Sequence, residues 1–357
     1  MKKILLLLVL LFTLHQAGLP QSCLPEGIIF TQQEQIDDFQ ANYPGCNEIE
    51  GDVRIIGTSI TNLDGLLTVN AILGNLKIHY LPNLPSLSGL DSLEYVGNNV
   101  TIENNRLLTN MNGLGKLSAI EGYLFIRKND SLVNLEGLEA LGSADHLRIE
   151  ECFSLTDLNG LSGLTDVRQS FYLNENPNLI SLQGMGVFDT LNYLKIISCP
   201  KLKNLNGINS SSSYIDKLEI SVNDSMINLD GMQGINEINY LMIDQCNGLH
   251  DLSGLDNLTQ CYSFKLTSNP NLVYLDGLSS LDEVTSIFTI DDNPKLADLT
   301  PLSSLSTVSA FICADNISLK DLSGLEGLDS ISSISIVGND SITNFNGLQN
   351  QIGRAHV

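Results

Sequence analysis

The residues that could do chemistry on a substrate are carboxylates recurring at similar positions along the chain: Glu103, Glu150, Glu219, Asp244 and Asp291. Hydrolysis or elimination on a polysaccharide needs two carboxyl groups close together, or a metal-bound acid with a base nearby. These carboxylates fall singly on separate repeats, and Lys195 and Lys217 are positioned to neutralise Glu219. The spacing disfavours a β-helix polysaccharide lyase or hydrolase, which stays open as the enzymatic alternative.

Cysteines offer a second chemistry, disulfide formation or zinc binding. Cys152, Cys199 and Cys246 are two repeats apart, which separates neighbours by about 9–10 Å along a stack of strands. That distance is too long for a disulfide. Cys261 and Cys313 occupy positions that other repeats fill with apolar residues. All five are predicted to be buried structural thiols, and neither a metal site nor a cofactor is predicted.

Basic and aromatic residues form a third set. The candidate ligand-binding residues are Tyr123, Phe125, Arg127, His146, Arg148, Tyr172, Tyr193, Lys195 and Tyr240. Tyrosine rings offer flat apolar area with a polar tip, and Arg and Lys bind carboxylates or sulfates. Such a strip predicts a site for a glycan or an extended polypeptide. The alternative is that these side chains only pack across neighbouring strands.

A repeat must position these residues. Its marker is Leu-x-Gly-Leu, as in Leu135–Leu138, and the period is 23 or 24 residues. The glycine column comprises Gly65, Gly89, Gly113, Gly137, Gly160, Gly184, Gly207, Gly231, Gly254, Gly277, Gly324 and Gly347, with Pro301 in the one missing place. A fixed period of this length is typical of a solenoid, in which each turn shares its core with its neighbours.

Each repeat also contains a short Leu-x-Ile strand, for example Leu76–Ile78. Alternation directs the first and third residues inward and the middle residue outward. Stacked turns pair such strands in parallel. The prediction is a mainly β solenoid of about 13 turns, with one parallel sheet whose outward face carries the basic and aromatic strip.

A column of small polar residues follows the strands and predicts a structural ladder inside the bend. Asn can satisfy turn amides there, and Cys is small with a weak donor. The ladder comprises Asn105, Asn129, Cys152, Asn176, Cys199, Asn223, Cys246, Asn269, Asn293, Asn316 and Asn339.

The ends of the chain predict export. Residues 1–22 resemble a signal peptide, because a basic start precedes an apolar run too short to span a bilayer. Residues 351–357 break the repeat in mid-turn and are interpreted as a non-native tail, the alternative being a genuine terminus. No segment after residue 22 is long and apolar enough to cross a membrane. The net charge of −23 argues against nucleic-acid binding, which depends on phosphate neutralisation.

Residues 23–50 are predicted to cap the first turn. Thr31 and Glu34 match a capping box, and Ile36, Phe39 and Tyr43 form one apolar stripe on a short helix. Cys23 and Cys46 bracket this segment, and a disulfide between them is predicted because export permits it. The alternative is two unpaired thiols.

The segment from Cys46 to Ile55, after the helix, resembles the opening of receptor L domains, the ligand-binding lobes of growth-factor and insulin-type receptors. The recurring Asn-x-x-Leu-x-x-Leu-x-Gly-Leu also resembles secreted bacterial proteins with receptor L-domain-like or leucine-rich repeats. The resemblance covers residues 23–350, with the solenoid proper at 51–350. It implies a right-handed, β-helix-like solenoid, secretion or cell-surface display, and a binding role.

Three functions follow from these observations. The first is a non-catalytic binding or adhesion module for an extracellular protein or glycan, favoured by regular turns without a long active-site loop. The second is the lyase or hydrolase. The third is a structural surface-coat protein without a selective ligand. The sequence predicts no oligomeric state.

Overall fold

A computed structural model describes residues 22–349 of the chain. The predicted signal peptide, apart from Ser22, and the tail at 351–357 lie outside the described residues. The described chain is a parallel β-solenoid of about 14 turns with few helices. The predicted fold class is therefore confirmed, with about one turn more than the spacing suggested.

The solenoid contains twenty-one short strands among the described residues. They are β1 (Ser22–Cys23), β2 (Ile28–Phe30), β3 (Glu48–Ile49), β4 (Val53–Ile55), β5 (Ala71–Ile72), β6 (Leu76–His79), β7 (Tyr95–Val96), β8 (Val100–Glu103), β9 (Ala119–Ile120), β10 (Tyr123–Arg127), β11 (Ser143–Glu150), β12 (Asp166–Asn174), β13 (Val187–Phe188), β14 (Thr190–Ile197), β15 (Asn209–Ser210), β16 (Tyr214–Ser221), β17 (Glu237–Asp244), β18 (Gln260–Thr267), β19 (Glu283–Asp291), β20 (Thr307–Ala314) and β21 (Ser330–Val337).

Nineteen of these strands form one parallel sheet. At the N-terminal end each turn contributes two separate short strands, so that β3, β5, β7 and β9 pair in one column and β4, β6, β8 and β10 in another. The two columns merge in β11, which pairs with both β9 and β10. From there each turn has one long strand. The remaining pair, β13 and β15, forms a separate two-stranded sheet, and β15 includes the start of the serine run at 210–213.

The core is the column of inward side chains that each turn contributes. Leu76, Val100, Leu124 and Leu147 are fully buried at equivalent places of successive strands, and so are Ile78, Ile102, Ile126 and Ile149. Towards the C-terminal end the first of these places is held by Phe264, Phe288 and Phe311, whose rings follow one another at centroid distances of 4.8 and 5.6 Å. Because each turn covers the apolar interior of the next, the described solenoid has one continuous core.

The N-terminal cap consists of two short helices, α1 (Gln33–Asp37) and α2 (Phe39–Asn42). Ile36 and Phe39 are buried as predicted, whereas Tyr43 is 37 % exposed. The predicted disulfide between Cys23 and Cys46 is confirmed, with a Cα–Cα distance of 5.7 Å. The disulfide ties β1 to the segment that follows α2.

The predicted capping box of Thr31 and Glu34 is wrong by one residue. Gln32 is the N-cap, and Gln35 Oε1 accepts the N–H of Gln32 at 3.0 Å and that of Thr31 at 2.7 Å. A glutamine amide replaces the expected carboxylate because the helix begins one residue later, which places Gln35 rather than Glu34 at the third helical position.

The glycine column has two conformations. From Gly89 to Gly347 its glycines have φ between +98° and +115°, a region that L side chains rarely occupy. Gly65 instead lies in a 3₁₀ turn, Asp64–Leu66, as Pro301 does in Thr300–Leu302. A Cβ at Gly65 would lie 1.7 Å from the carbonyl oxygen of Ile36, so this glycine lets the capping helix approach the first turns.

The predicted ladder is buried at every position from Asn105 to Asn316, and Asn339 in the last described turn is partly buried. Asn129 shows its bonding: its Oδ1 accepts the N–H of Asn105 at 3.0 Å, and its Nδ2 donates to the carbonyl of Ile102 at 2.9 Å. Each asparagine thereby satisfies two backbone groups of the preceding turn. The ladder thus bonds consecutive turns to each other at the bend.

The thiols of the ladder cysteines both accept and donate hydrogen bonds, and those of Cys152 and Cys199 donate to the carbonyls of Glu150 and Ile197 at 3.4 and 3.6 Å. Burial raises the pKa of the Cys152 thiol to about 12, and the N–H of Asn129, which donates to this sulfur, opposes the rise. Burial also raises the pKa of the Cys199 and Cys246 thiols to about 12. The backbone N–H of Asn176 opposes the rise for Cys199, and that of Asn223 opposes it for Cys246. All five cysteines outside the disulfide are free and buried, as predicted.

The residue before each ladder position has a left-handed backbone, which the sequence did not indicate. From Asn104 to Asp315 its φ is +52° to +58°, and the residues there include Lys128, Glu151 and even the β-branched Val222. Such a conformation costs on the order of 1 kcal/mol or more per residue. The N–H of each donates to a carbonyl at the strand end of the next turn, as Asn104 does to Arg127 at 3.1 Å, which holds the strained bend in place.

Candidate functional site

The outward face of the sheet has three columns of side chains. The central column runs Arg54, Lys77, Thr101, Phe125, Arg148, Tyr172, Lys195, Glu219, Met242, Lys265, Thr289, Ile312 and Ser335. Charged and aromatic residues are concentrated in its N-terminal two thirds, whereas its last members are small or uncharged. The chemically diverse part of the face therefore spans β4 to β18.

A cavity of about 520 Å³ lies in the middle of this stretch. It is lined by Tyr123, Phe125, His146, Arg148, Ser170 and Tyr172. Five of these six residues belong to the predicted strip. We call this cavity the aromatic pocket.

Arg148 is the centre of the aromatic pocket. Its guanidinium carbon lies 5.2 Å from the ring centre of Phe125 and 5.5 Å from that of Tyr172, on the strands to either side. Its Nη2 donates to Glu150 Oε1 at 2.6 Å. The guanidinium is thus fixed between two aromatic rings and by a carboxylate, an arrangement that stabilises its position by cation–π and charge–charge attraction.

His146 and Ser170 form the other wall of the aromatic pocket. They are register partners on β11 and β12, and His146 Nδ1 lies 2.7 Å from Ser170 Oγ. Ser170 was missed by the sequence reasoning, because serine at an outward position carries no signal of its own. Its alignment with His146 in the repeat was the observation that could have identified it.

Glu219 organises the strands beyond the aromatic pocket. It is 92 % buried and lies 2.8 Å from Lys195 Nζ, 3.3 Å from Lys217 Nζ and 2.5 Å from the hydroxyl of Tyr193. Burial raises the pKa of this carboxyl, but Lys195, Tyr193 and Lys217 outweigh burial and hold the pKa below its usual value. The predicted neutralisation of Glu219 is confirmed.

The predicted ligand-binding residues thus fall into four groups according to their contacts. Tyr123, Phe125, His146, Arg148 and Tyr172 share the aromatic pocket. Tyr193 and Lys195 are bound to Glu219, although the Tyr193 ring lies 5.0 Å from that of Tyr172. Arg127 pairs with Glu151 and lies 3.7 Å from Glu103. Tyr240 lies farther along the face, beyond Lys217, and its ring contacts Tyr262 at 5.2 Å.

A second and larger cavity, of about 760 Å³, adjoins the aromatic pocket towards the N-terminus and shares Tyr123 with it. We call it the N-terminal groove. Its central column consists of Arg54, Lys77 and Thr101, and its rim includes Ile29, Glu26, Asp52, Asn75 and Asn99. Within residues 22–349, neither Arg54 nor Lys77 forms a salt bridge.

One wall of the N-terminal groove is a second polar ladder, on the outside of the sheet. Asp52 Oδ1 accepts the N–H and the side-chain amide of Asn75, both at 2.8 Å. Asn75 Oδ1 likewise accepts the N–H and the side-chain amide of Asn99. Asn99 Oδ1 in turn accepts the N–H of Tyr123 at 3.0 Å. These bonds fix the amides in a row along the groove.

His79 supports Arg54 from the neighbouring column. It is 2 % exposed, and its Nε2 accepts a hydrogen bond from Arg54 Nε at 2.8 Å. Its Nδ1 is buried with no hydrogen-bond partner in the described part of the chain. Burial lowers the pKa of His79 to about 4, and the charges of Lys77 and Arg54 contribute to the decrease.

The depressed pKa of His79 predicts an acid-sensitive fold. The unfolded chain has a histidine pKa near 6.5, so between pH 6.5 and about 4 it binds more protons than the folded state. We expect the free energy of unfolding to decrease by about 2 kcal/mol as the pH falls through this window, since one pKa unit corresponds to about 1.4 kcal/mol and solvent screens part of the effect. The measurement is denaturant unfolding at several pH values.

The variant His79→Phe keeps an aromatic ring and removes the titration. All other ionisable groups are common to both proteins, so the difference between their pH profiles isolates His79. We expect that difference to change between pH 6.5 and 4 and to be constant above pH 7. Parallel profiles across the whole range would contradict the assignment.

No protein-family model matches the chain, and a search of curated proteins found no significant similarity. In the part of the chain that the structure describes, no group of three or more His, Cys, Asp or Glu side chains is placed to hold a metal ion. None of the helices between residues 22 and 349 is long and apolar enough to cross a membrane.

Proposed function

We propose that this protein is an exported, non-catalytic binding module that holds an elongated glycan or polypeptide on the outward face of its sheet. The observation that carries the proposal is the aromatic pocket, where Arg148 is fixed between Phe125 and Tyr172. Ordering these side chains before binding reduces the entropy that a ligand must otherwise offset. The disulfide between Cys23 and Cys46 is consistent with an oxidising, extracellular compartment.

The resemblance to receptor L domains and to secreted leucine-rich-repeat proteins supports the same function. Its cysteine framing coincides with the disulfide, and the sheet face is the surface that such a solenoid offers to a partner. Secretion and surface display belong to the proposal and depend on the interpretation of residues 1–22 as a signal peptide.

The electrostatics of the face disfavour the enzymatic alternative. A general acid needs a carboxyl whose pKa is raised towards neutrality. Glu150 is paired with Arg148, and the pKa of Glu219 is held low by the groups around it. Asp291, whose pKa is raised by burial and by Asp315 and Asp292, lies at the far end of the face from the aromatic pocket.

The proposal predicts that truncating the aromatic pocket weakens binding. The purified protein is screened against an array of oligosaccharides and peptides, and the affinity of each hit is measured for Tyr172→Ala and Arg148→Ala. We expect each variant to lose about tenfold or more, because an aromatic or cation–π contact in such a site contributes on the order of 1 kcal/mol or more.

Tyr274→Ala is the matched control, since Tyr274 is exposed but lies off the sheet face, beside His250. It should bind as the unmodified protein does. Unchanged affinity in both pocket variants, with their thermal stability retained, would move the site off this face. An array without any selective hit would favour the structural surface-coat function.

A further inference from the structure

The aromatic pocket and the N-terminal groove form one continuous depression. They share Tyr123, and their linings together run from Ile29 on β2 to Tyr172 on β12. Successive turns advance by ~4.8 Å, which is close to the length of one pyranose unit. A chain of several sugar rings laid across the strands would therefore meet a new turn of the solenoid with nearly every ring.

The two parts of the depression differ in how their positive charges are used. Arg148 in the aromatic pocket is paired with Glu150, whereas Arg54 and Lys77 form no salt bridge within residues 22–349. The Arg54–His79 bond uses Nε alone and leaves the terminal guanidinium nitrogens without another bond among the described residues. Those two nitrogens can take a carboxylate in a bidentate pair.

The acidic residues at this end, Glu26 and Asp52, form no salt bridge with Arg54 or Lys77 within residues 22–349. Asp52 Oδ1 is bonded to the two nitrogens of Asn75 as the base of the outer ladder. Glu26 is exposed in the loop between β1 and β2, at the rim. The charges of Arg54 and Lys77 also contribute to the low pKa of neighbouring His79, which agrees with a positive potential at the floor of the groove.

The geometry favours a glycan over a polypeptide. A peptide that gains affinity from main-chain hydrogen bonds adds to a sheet edge, but the depression lies on the face of a sheet whose strands bond to each other on both sides. Flat rings of Tyr123, Phe125 and Tyr172, together with amides of Asn75 and Asn99, suit sugar rings and their hydroxyls.

We infer that the ligand is an acidic polysaccharide whose sugar rings lie on the aromatic pocket and whose ring carboxylate binds Arg54 and Lys77 in the N-terminal groove. The inference rests on the proposed function and narrows its ligand class. Arg54 and Lys77 make the charge-dependent contacts, and the aromatic pocket makes contacts that do not depend on charge.

The test compares probes that differ only in charge. Binding of an oligogalacturonide and of its fully methyl-esterified, neutral form is measured by calorimetry with the full chain, with polyglutamate as an acidic peptide. We expect the free acid to bind about tenfold more tightly than the ester. Arg54→Gln and Lys77→Gln should each remove most of this difference without changing the affinity for the ester.

Two further variants test whether the preference for the acid depends on the charges of the N-terminal groove. Lys265→Gln is the matched control, because Lys265 lies in the same central column at the other end of the face, and it should leave the preference for the acid intact. Glu26→Gln should increase the affinity for the acid, since it removes a negative charge from the rim.

The failure of this inference is distinct from that of the proposed function. If the acid and the ester bind equally and Tyr172→Ala weakens both, the inference of an acidic ligand is overturned, whereas the proposal that the sheet face binds a ligand is retained. Binding of polyglutamate without binding of either galacturonide would overturn the inference that the ligand is a glycan. No binding of any of the three probes would also overturn the inference, while a hit elsewhere on the array that depends on Tyr172 would keep the proposed function.

Discussion

Gly160→Ala is expected to lower the free energy of unfolding by about 2–6 kcal/mol. The added Cβ would lie 1.9 Å from the carbonyl oxygen of Leu135, and the residue has φ +110°. A strained backbone costs about 1–3 kcal/mol and overpacking a similar amount. The close contact is with the backbone of the preceding turn, so it cannot be relieved by rotating a side chain.

Gly115→Ala is the matched control. A Cβ at Gly115 meets nothing within 4 Å, and its φ is not positive. This substitution should be neutral or stabilise by up to about 1 kcal/mol, because alanine reduces the freedom of the unfolded chain. Denaturant unfolding measures both variants, and hydrogen exchange should locate the opening near residues 135–160. Equal stabilities of the two variants would contradict the close packing of turns.

Asn293→Ala is expected to lower the free energy of unfolding by about 2–6 kcal/mol. Asn293 Oδ1 accepts the N–H of Asn269 at 3.1 Å, and its Nδ2 donates to the carbonyl of Leu266 at 3.1 Å. Alanine leaves both backbone groups buried without a partner, at about 1–3 kcal/mol each. A solenoid need not unfold in one step, so the loss is measured by hydrogen exchange as well as by denaturant.

Two companion variants test the reason for this loss. Asn293→Cys, kept reduced, should cost less than alanine, because a thiol can accept the N–H of the preceding ladder residue, as Cys152 accepts that of Asn129. Asn271→Ala removes an exposed asparagine that bonds Asn247 and Lys295, and should cost less than about 1 kcal/mol. A loss for Asn293→Ala no larger than that for Asn271→Ala would show that the ladder does not stabilise the fold.

The repeat made much of the fold predictable. A side chain that recurs every 23 or 24 residues meets its own equivalent in the next turn, so its environment can be inferred from the whole column rather than from one residue. This is why the buried ladder from Asn105 to Asn316 and the buried thiol of Cys261 were predicted correctly. The five residues of the strip that meet at the aromatic pocket could be placed on one face for the same reason.

Features that break the repeat were not predictable in this way. The capping box fell at Gln32 and Gln35 because the start of α1 depends on how the helix meets the first turns. The left-handed backbone of Val222 follows from hydrogen bonds to the next turn, not from any preference of valine. Ser170 entered the aromatic pocket through the register of β11 and β12.

The sequence alone determined the solenoid, its period, the inward and outward alternation and the ladder, because each depends on spacing along the chain. Only the tertiary structure decided which charges of the outward face are paired. Arg148 and Lys195 form salt bridges with carboxylates, whereas Arg54 and Lys77 form none within residues 22–349. Ion pairs depend on side-chain distances of a few ångströms, which the repeat period does not specify.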